Sequence, residues 1–273
     1  MKKHIGLPAT VAALLFFGCQ RIDDILQKDS LVVNGCAIAT VHIPANFEYD
    51  GSEAYTATFS YNAHGQPTSI NYDKQSQTGY PNHFIFRYDA KNRLTDLIAT
   101  YDNSTFDSWN VFYYNSKGQI SLDSVFIFGS LDGEPPSQSD EDELAFNTYF
   151  TYDEQGRIRQ AINDHYPSST DPEVDPFKDT SNYTYNSDGN LVHGNSTYDT
   201  KVNMNRTNNI WMFMNRDYSR NNFRAAVSYN KKCLPLEFTA GPIPFALFGF
   251  HEDPSDAKID NVQITYTCTG SDN

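Results

Sequence analysis

The chain has 273 residues, a formal net charge of −14 at pH 7 and a hydrophobic content of 39%. So acidic a chain repels nucleic acid and anionic membrane surfaces, and we therefore expect no nucleic-acid partner. Its 18 Tyr and 19 Phe are an excess of residue types that favour pleated surfaces. Composition therefore favours β-strands over helices.

The N-terminus has the layout of a bacterial lipoprotein signal. Lys2 and Lys3 provide a basic start, an apolar stretch follows, and Gly18 directly precedes Cys19. This pattern predicts a signal peptide over residues 1–18 and lipid attachment at Cys19. The apolar stretch is shorter than the roughly 20 residues that span a bilayer, which argues against a transmembrane anchor.

Cleavage before Cys19 divides the chain into two further parts. Residues 19–35 are then a tether with several acidic side chains, and residues 36–273 form one domain. The lipid on Cys19 is the predicted membrane contact. The location is the cell envelope, at either face of the outer membrane.

A tyrosine-led turn recurs five times after the tether. Each copy has Tyr, then Asn or Asp, two further residues, and Gly or Asn. Their first and last residues are Tyr61 and Gly65, Tyr88 and Asn92, Tyr114 and Gly118, Tyr152 and Gly156, and Tyr185 and Gly189. The Asn or Asp side chain can bond the backbone two residues on, and the last residue enters the left-handed conformation at low cost. Each copy predicts one β-hairpin.

Strand patterns flank these turns. Residues 56–61 and 84–88 alternate large side chains with small or polar ones, which is the period of a strand. Tyr88 and Tyr114 are 26 residues apart, enough for two strands and a far loop. All the Tyr-led turns should therefore lie along one edge of a single meandering sheet.

The predicted fold is all-β: an antiparallel meander of about 12–14 strands in a strongly curved sheet or an incomplete barrel. A sheet this wide must curl. The alternative is a two-sheet sandwich. Pro-rich acidic insertions over residues 133–143 and 166–179 lengthen two of the repeats and predict loops at the opposite edge.

Residues 152–158 read Tyr-Asp-Glu-Gln-Gly-Arg-Ile. This segment resembles the Tyr-Asp-x-x-Gly-Arg-Leu unit of YD-repeat proteins, whose best-known members are large Rhs-type shells around toxins. Five copies are too few for a shell. The chain is more similar to short YD-repeat envelope lipoproteins of unknown function from Gram-negative bacteria, and the likeness includes a degenerate turn at residues 229–235. The resemblance implies a fold but no activity.

Three cysteines remain beyond Cys19, an odd number for an oxidising compartment. Cys233 occupies the Gly position of the degenerate turn, and the final strand should run beside the strand that starts at Leu234. The favoured disulfide is therefore Cys233 with Cys268. The competing pair is Cys36 with Cys268, which would tie the first strand to the last. The absence of a CxxC pair argues against zinc or redox chemistry.

The sequence contains no recognisable catalytic or cofactor motif. HExxH, GxSxG and Gly-rich phosphate loops are absent, and the histidines are not spaced as metal ligands. The acidic run at residues 139–143 lacks the Gly of an EF-hand and is best read as a solvated loop. The sequence therefore predicts no cofactor, no metal and no enzymatic activity.

Two aromatic segments interrupt the strand pattern. Residues 241–250 are apolar and Pro-rich, and a polar stretch from residue 203 leads into a predicted short helix. Both segments are expected to cover the open face of the sheet, because one sheet alone leaves a face exposed. Alternatively, Trp211, Phe213 and Phe245 line a ligand groove.

Three functions are compatible with these patterns. The favoured one is a non-enzymatic envelope lipoprotein that binds or scaffolds, with a glycan or protein as partner. The second is a carbohydrate-binding accessory protein with Trp109 and Trp211 as stacking platforms. The third is a hydrolase built on a pair of carboxylates.

Overall fold

The computed structural model describes residues 35–44, 54–73, 81–101, 104–131, 136, 144–166, 176–192, 194, 197–223, 225–238 and 262–269. The predicted signal peptide, Cys19, nearly all of the predicted tether and residues 241–250 with Phe245 lie outside these ranges. So do most residues of the two Pro-rich insertions, including the acidic run.

Thirteen strands pair in one antiparallel sheet, with β10 and β11 at its two ends. The strands are β1 Cys36–Ile43, β2 Tyr55–Tyr61, β3 Pro67–Tyr72, β4 His83–Tyr88, β5 Leu94–Thr100, β6 Thr105–Tyr114, β7 Ile120–Ser130, β8 Leu144–Tyr152, β9 Ile158–His165, β10 Phe177–Asn182, β11 Ser228–Tyr229, β12 Pro235–Phe238 and β13 Val262–Cys268. The predicted all-β meander and its strand number are confirmed. The sandwich alternative is wrong, since the described strands form a single sheet.

The sheet grows in two directions from β1. Strands β1 to β10 follow one another as neighbours, and β13 then pairs with the free side of β1. Strand β12 pairs with β13, as the sequence predicted. The chain therefore crosses from the β10 end of the sheet to the β11 end between residues 183 and 227.

The disulfide joins Cys36 to Cys268, with their Cα atoms 4.0 Å apart. The favoured pairing of Cys233 with Cys268 is wrong, and the competing pair is the one observed. The observed pairing follows from the strand register, because Cys36 and Cys268 are directly opposite each other on the adjacent strands β1 and β13. Cys233 is buried beside this bridge.

Each predicted turn has the same geometry, a three-residue loop with a left-handed last residue. In the fourth turn, Asp153 Oδ1 accepts the N–H groups of Gln155 at 3.0 Å and Arg157 at 2.9 Å. The last residues have φ values of 74° at Gly65, 59° at Asn92, 76° at Gly118, 77° at Gly156, 80° at Gly189 and 61° at Cys233. Cys233 thus fills the Gly position of a sixth turn, at the same end of the sheet as the others.

The repeat tyrosines form a ladder of hydroxyl bonds between neighbouring hairpins. Four repeat tyrosines each donate a hydrogen bond from Oη to a backbone carbonyl of a strand in the preceding unit. The acceptor is the first residue of its strand in three cases and the third residue in the other. The bonds are Tyr61 to Ile38 at 2.9 Å, Tyr88 to Pro67 at 2.6 Å, Tyr114 to Leu94 at 2.8 Å and Tyr152 to Ile120 at 2.6 Å. Tyrosine, rather than phenylalanine, therefore links each hairpin to the one before it.

A short helix fills the concave side of the sheet. A 3₁₀ turn spans Met204–Thr207 and helix α1 spans Asn209–Met214, where the sequence predicted a helix. Asn208 caps α1 by accepting the N–H of Ile210 at 2.9 Å. We call the face that α1 covers the inner face.

Contacts of α1 show how strongly the sheet curves. The Trp211 ring centroid lies 5.6 Å from that of Phe59 on β2, and the Phe213 centroid lies 5.1 Å from that of Phe150 on β8. In a flat sheet, β2 and β8 would be about 29 Å apart at the usual strand spacing. Two residues of one turn of helix can meet both strands only because the sheet wraps around α1.

Within the described ranges, no helix is long and apolar enough to cross a membrane.

Candidate functional site

Both tryptophans of the chain are core residues. Trp211 on α1 and Trp109 on β6 are 0% and 1% exposed, and Phe213 is 8% exposed. The cover predicted for the open face is therefore observed at α1, while Trp211 and Phe213 do not face solvent as ligand-binding residues. Trp109 lies on the outer face, where its Nε1 donates to Asp96 Oδ1 at 2.8 Å.

The inner face changes from apolar to polar over β7 to β10. Near β1 to β6 it carries Ile, Val and Phe side chains that pack against α1. Farther along, the strand register aligns four polar residues in one row, each opposite the next: Asp123, Thr148, Asn163 and Asp179. Together with Asn110, His165 and Phe177 we call this row the inner polar patch.

Hydrogen bonds run along the row from one strand to the next. Thr148 Oγ1 donates to Asn163 Oδ1 at 2.8 Å, and Asn163 Nδ2 donates to Asp179 Oδ1 at 2.8 Å. His165 Nε2 lies 2.9 Å from Asp179 Oδ2. The open end of the patch is therefore held in place before any ligand arrives, which lowers the entropy cost of binding.

Asp123 forms the closed end of the patch. It is 7% exposed, and Asn110 Nδ2 donates to both of its oxygens at 3.0 Å. Burial raises the pKa of Asp123 to about 7, although the Asn110 amide and the charge of Arg216 act in the opposite direction. This carboxyl group therefore takes up or releases a proton near neutral pH.

Asp179 forms the open end of the patch, and its environment lowers the pKa of the carboxyl group. The hydrogen bond from His165 is the main reason that the pKa of Asp179 is lowered, and Asn163 and Arg216 add to this. The carboxylate stays ionised at neutral pH.

Burial distinguishes these two carboxyl groups. Asp123 on β7 is buried, whereas Asp179 lies three strands away on the edge strand β10 and is exposed. The two carboxyl groups of a glycosidase flank the bond that is cleaved, so both must reach the substrate. Asp123 is too buried to form such a pair with Asp179.

Arg216 lies beside the patch at an unusual backbone position. It follows α1 with φ 51°, where helices commonly place Gly. Its N–H donates to Phe213 O, and that of Asp217 donates to Met212 O, which is a Schellman end. A side chain is strained there, so the guanidinium group is held in place at a cost to the backbone.

The Arg216 guanidinium lies 5.5 Å above the Phe150 ring and acts electrostatically on Asp123 and Asp179. Within the described part of the chain it makes no hydrogen bond or ion pair with another side chain. Its five N–H donors therefore remain available to a ligand.

Aromatic rings border the open end. Phe177 stacks on His165 with ring centroids 4.1 Å apart and planes at 8°, yet Phe177 remains 50% exposed. The Phe146 ring covers His165 from the neighbouring strand, with centroids 5.4 Å apart. The patch therefore joins a flat apolar ring to several hydrogen-bonding groups.

Sequence reasoning did not single out the residues of this patch. The available signal was a run of polar residues at inward positions, such as Asn163 and His165 two and four residues after the buried Ala161. Which strands lie side by side, and in what register, was not readable from the single sequence.

No protein-family model matches the chain, and no curated protein matches it. Among solved structures, it is similar to a chain in the crystal structure of TcdB2-TccC3-Cdc42, with 14% identity and a TM-score of 0.28 over 54% of this chain and 8% of that one. It is also similar to a chain of TcdB2-TccC3 without its hypervariable C-terminal region, with 12% identity and a TM-score of 0.28 over 77% of this chain and 10% of that one. The chain thus spans about a tenth or less of their length, and TM-scores this low assign it to no family.

Proposed function

We propose that this protein is a non-enzymatic cell-envelope lipoprotein of the short YD-repeat type, and that it binds a ligand at the inner polar patch. The observation that carries the proposal is Arg216, whose unpaired guanidinium group is held beside the patch by a strained backbone position. Strain of this kind concentrates at functional sites. The Pro-rich insertions join the strands of the patch at the end opposite the Tyr-led turns, so they are placed in sequence to contribute to specificity.

Binding is favoured over hydrolysis by the burial of Asp123. One of the two carboxyl groups of the patch is therefore out of reach of a substrate, and His165 is already engaged with Asp179. Turnover of a defined substrate, lost on changing one Asp or Glu without loss of folding, would contradict this proposal.

The binding proposal is tested by a thermal-shift screen of the chain without residues 1–18, with glycans, peptides and divalent cations as ligands. We expect at least one class to raise the melting temperature, because a ligand that binds only the folded state stabilises it. Arg216→Gly should abolish that shift. A shift that survives Arg216→Gly would place binding elsewhere.

The lipid anchor is tested separately. Cys19→Ser should remove lipid labelling and leave the protein soluble in the periplasm, because Cys19 is the predicted attachment site. Unchanged membrane fractionation of this variant would contradict the anchor.

A further inference from the structure

We propose that the inner polar patch binds a neutral oligosaccharide chain, with Phe177 as the stacking platform and Arg216, Asn163 and Asp179 as partners of the sugar hydroxyl groups. This inference rests on the proposed binding function, and it adds the chemical class of the ligand.

The platform is the Phe177 and His165 pair at the β10 end of the sheet. His165 covers Phe177 with nearly parallel rings, and the half-exposed remainder of Phe177 is available to an incoming molecule. The apolar C–H face of a pyranose ring packs well on such a surface. Because Phe177 pairs with His165 across strands β10 and β9, the platform is fixed by the sheet rather than by a mobile loop.

The polar groups beside the platform match hydroxyl groups, which both donate and accept hydrogen bonds. Arg216 offers donors only, the Asp179 carboxylate offers acceptors only, and the Asn163 amide offers both. A hydroxylated ligand can use all three, whereas a simple anion would be repelled by Asp179 and a simple cation by Arg216. The mixture therefore selects a neutral polar ligand.

The position of the exposed part of the row favours a chain over a single sugar. Thr148 and Asp123 are buried, so the row is open at Asn163 and Asp179, on the neighbouring strands β9 and β10. Its open end leads past Phe177 at the edge strand β10, where a polymer can leave the site without meeting another described strand.

The test is isothermal titration of the chain without residues 1–18 against maltohexaose, cellohexaose, xylohexaose and laminarihexaose. We expect at least one to bind with a Kd below about 1 mM. Phe177→Ala and Arg216→Gly should each weaken that binding by about tenfold or more, as expected for contacts that dominate an interface.

Tyr149→Ala is the matched control. Tyr149 is also an exposed aromatic residue, at 42%, but it alternates with the inward-facing Thr148 and Phe150 and so lies on the outer face. Its removal should leave the Kd unchanged. The melting temperature of each variant without ligand reports whether it is folded, and Arg216→Gly should not lower it because Gly relieves the strain.

Two results would overturn the inference. Absence of binding by all four hexasaccharides would exclude this ligand class, and binding that Phe177→Ala and Arg216→Gly leave intact would exclude this site. The proposed function fails separately, if no glycan, peptide or cation gives a thermal shift that depends on Arg216.

Discussion

At each Tyr-led turn, a single Asn or Asp oxygen accepts two backbone N–H groups. Arg157 adds a second contact, because its guanidinium lies 2.7 Å from Asp153 and 3.9 Å above the ring of Tyr185 in the next repeat. Arg93 repeats both contacts, with Asp89 at 2.7 Å and Tyr114 at 4.7 Å. Individual residues of the repeat therefore serve their own turn and the neighbouring repeat at once.

Gly156→Val tests the turn conformation. A Cβ atom at Gly156 would meet only Gln119 Nε2 at 3.7 Å, so the cost comes from its φ of 77° and not from a clash. We expect the free energy of unfolding to fall by about 1–3 kcal/mol in denaturant melts. Glu154→Val places the same side chain in the same turn at a residue without positive φ. This variant should change the free energy of unfolding by less than about 0.5 kcal/mol. Equal losses would mean that the turn imposes no backbone requirement.

Tyr152→Phe tests the hydroxyl ladder. The variant removes the bond to Ile120 and leaves that carbonyl without the donor, so we expect a loss of about 1–2 kcal/mol in the free energy of unfolding. Tyr149 lies on the same strand at an exposed position, so Tyr149→Phe should leave the free energy of unfolding almost unchanged. Chemical denaturation of both variants measures the difference. An unchanged free energy of unfolding for Tyr152→Phe would show that the ladder bonds do not stabilise the sheet.

Asp123→Asn tests the buried carboxyl group. The folded-state pKa of about 7 lies above the unfolded value of about 3.9, so the stabilising contribution is complete below pH 4 and is lost as pH rises through 7. The variant should therefore show a smaller decline in stability from pH 4 to pH 8 than the parent. Asp179→Asn is the control with the opposite sign, because the lowered pKa of Asp179 stabilises above pH 4 and is lost on acidification. Identical pH profiles for Asp123→Asn and the parent would contradict the raised pKa.

At the scale of elements, the helix and the sheet depend on each other. Helix α1 has six residues, too few to be stable alone, and it persists because Trp211, Met212 and Phe213 are buried. The sheet in turn has an inner face of Phe and Ile side chains that needs cover. Its strong curvature lets a very short helix provide much of that cover.

Trp211→Ala tests this mutual dependence. Its ring contacts Phe59 and Phe86, and truncation leaves a large cavity under the curved sheet. We expect a loss of about 3–5 kcal/mol in the free energy of unfolding, measured by denaturant titration. Phe177→Ala, at a half-exposed position on an edge strand, should cost less than about 1 kcal/mol. A small effect of Trp211→Ala would mean that α1 is not part of the core.

At the scale of the whole molecule, tyrosine burial couples the fold to alkaline pH. Burial is the main reason that the pKa values of Tyr61, Tyr88 and Tyr152 are raised above the ordinary value of about 10, and it raises that of Tyr114 to about 12. The repeated units all place their tyrosines in the same environment, so the effects act together.

We therefore expect the stabilising contribution of the protonated tyrosines to be fully present below pH 10. The free energy of unfolding should fall as pH rises from 10 towards 12, because the tyrosines of the unfolded chain lose their hydroxyl protons first. Melting temperatures measured from pH 8 to pH 12, with tyrosinate absorbance recorded in parallel, would check this. Most tyrosines of the ladder should ionise only as the protein unfolds. Ionisation of the ladder near pH 10 in the folded state would contradict the buried hydroxyl bonds.

The sequence by itself determined the turns and the strands that flank them. Turn bonds such as those of Asp153 connect residues two and four apart, so every partner is visible in one short segment. Strand alternation is equally local, and five turns with their flanking strands were enough to predict a curved all-β meander of the observed size. The predicted lipid anchor at Cys19 and the role of Phe245 stay predictions, because both residues lie outside the described ranges.

The tertiary structure alone decided which distant residues meet. Cys36 and Cys268 are 232 residues apart in sequence, and they bond because β13 pairs with β1 directly. The inner polar patch depends on the register of four strands, and Arg216, two residues after the end of α1, lies beside it. Such pairings depend on how the whole sheet packs around α1, and a one-residue slip would turn each side chain to the other face. Local hydrogen-bonding patterns carry no information about that choice.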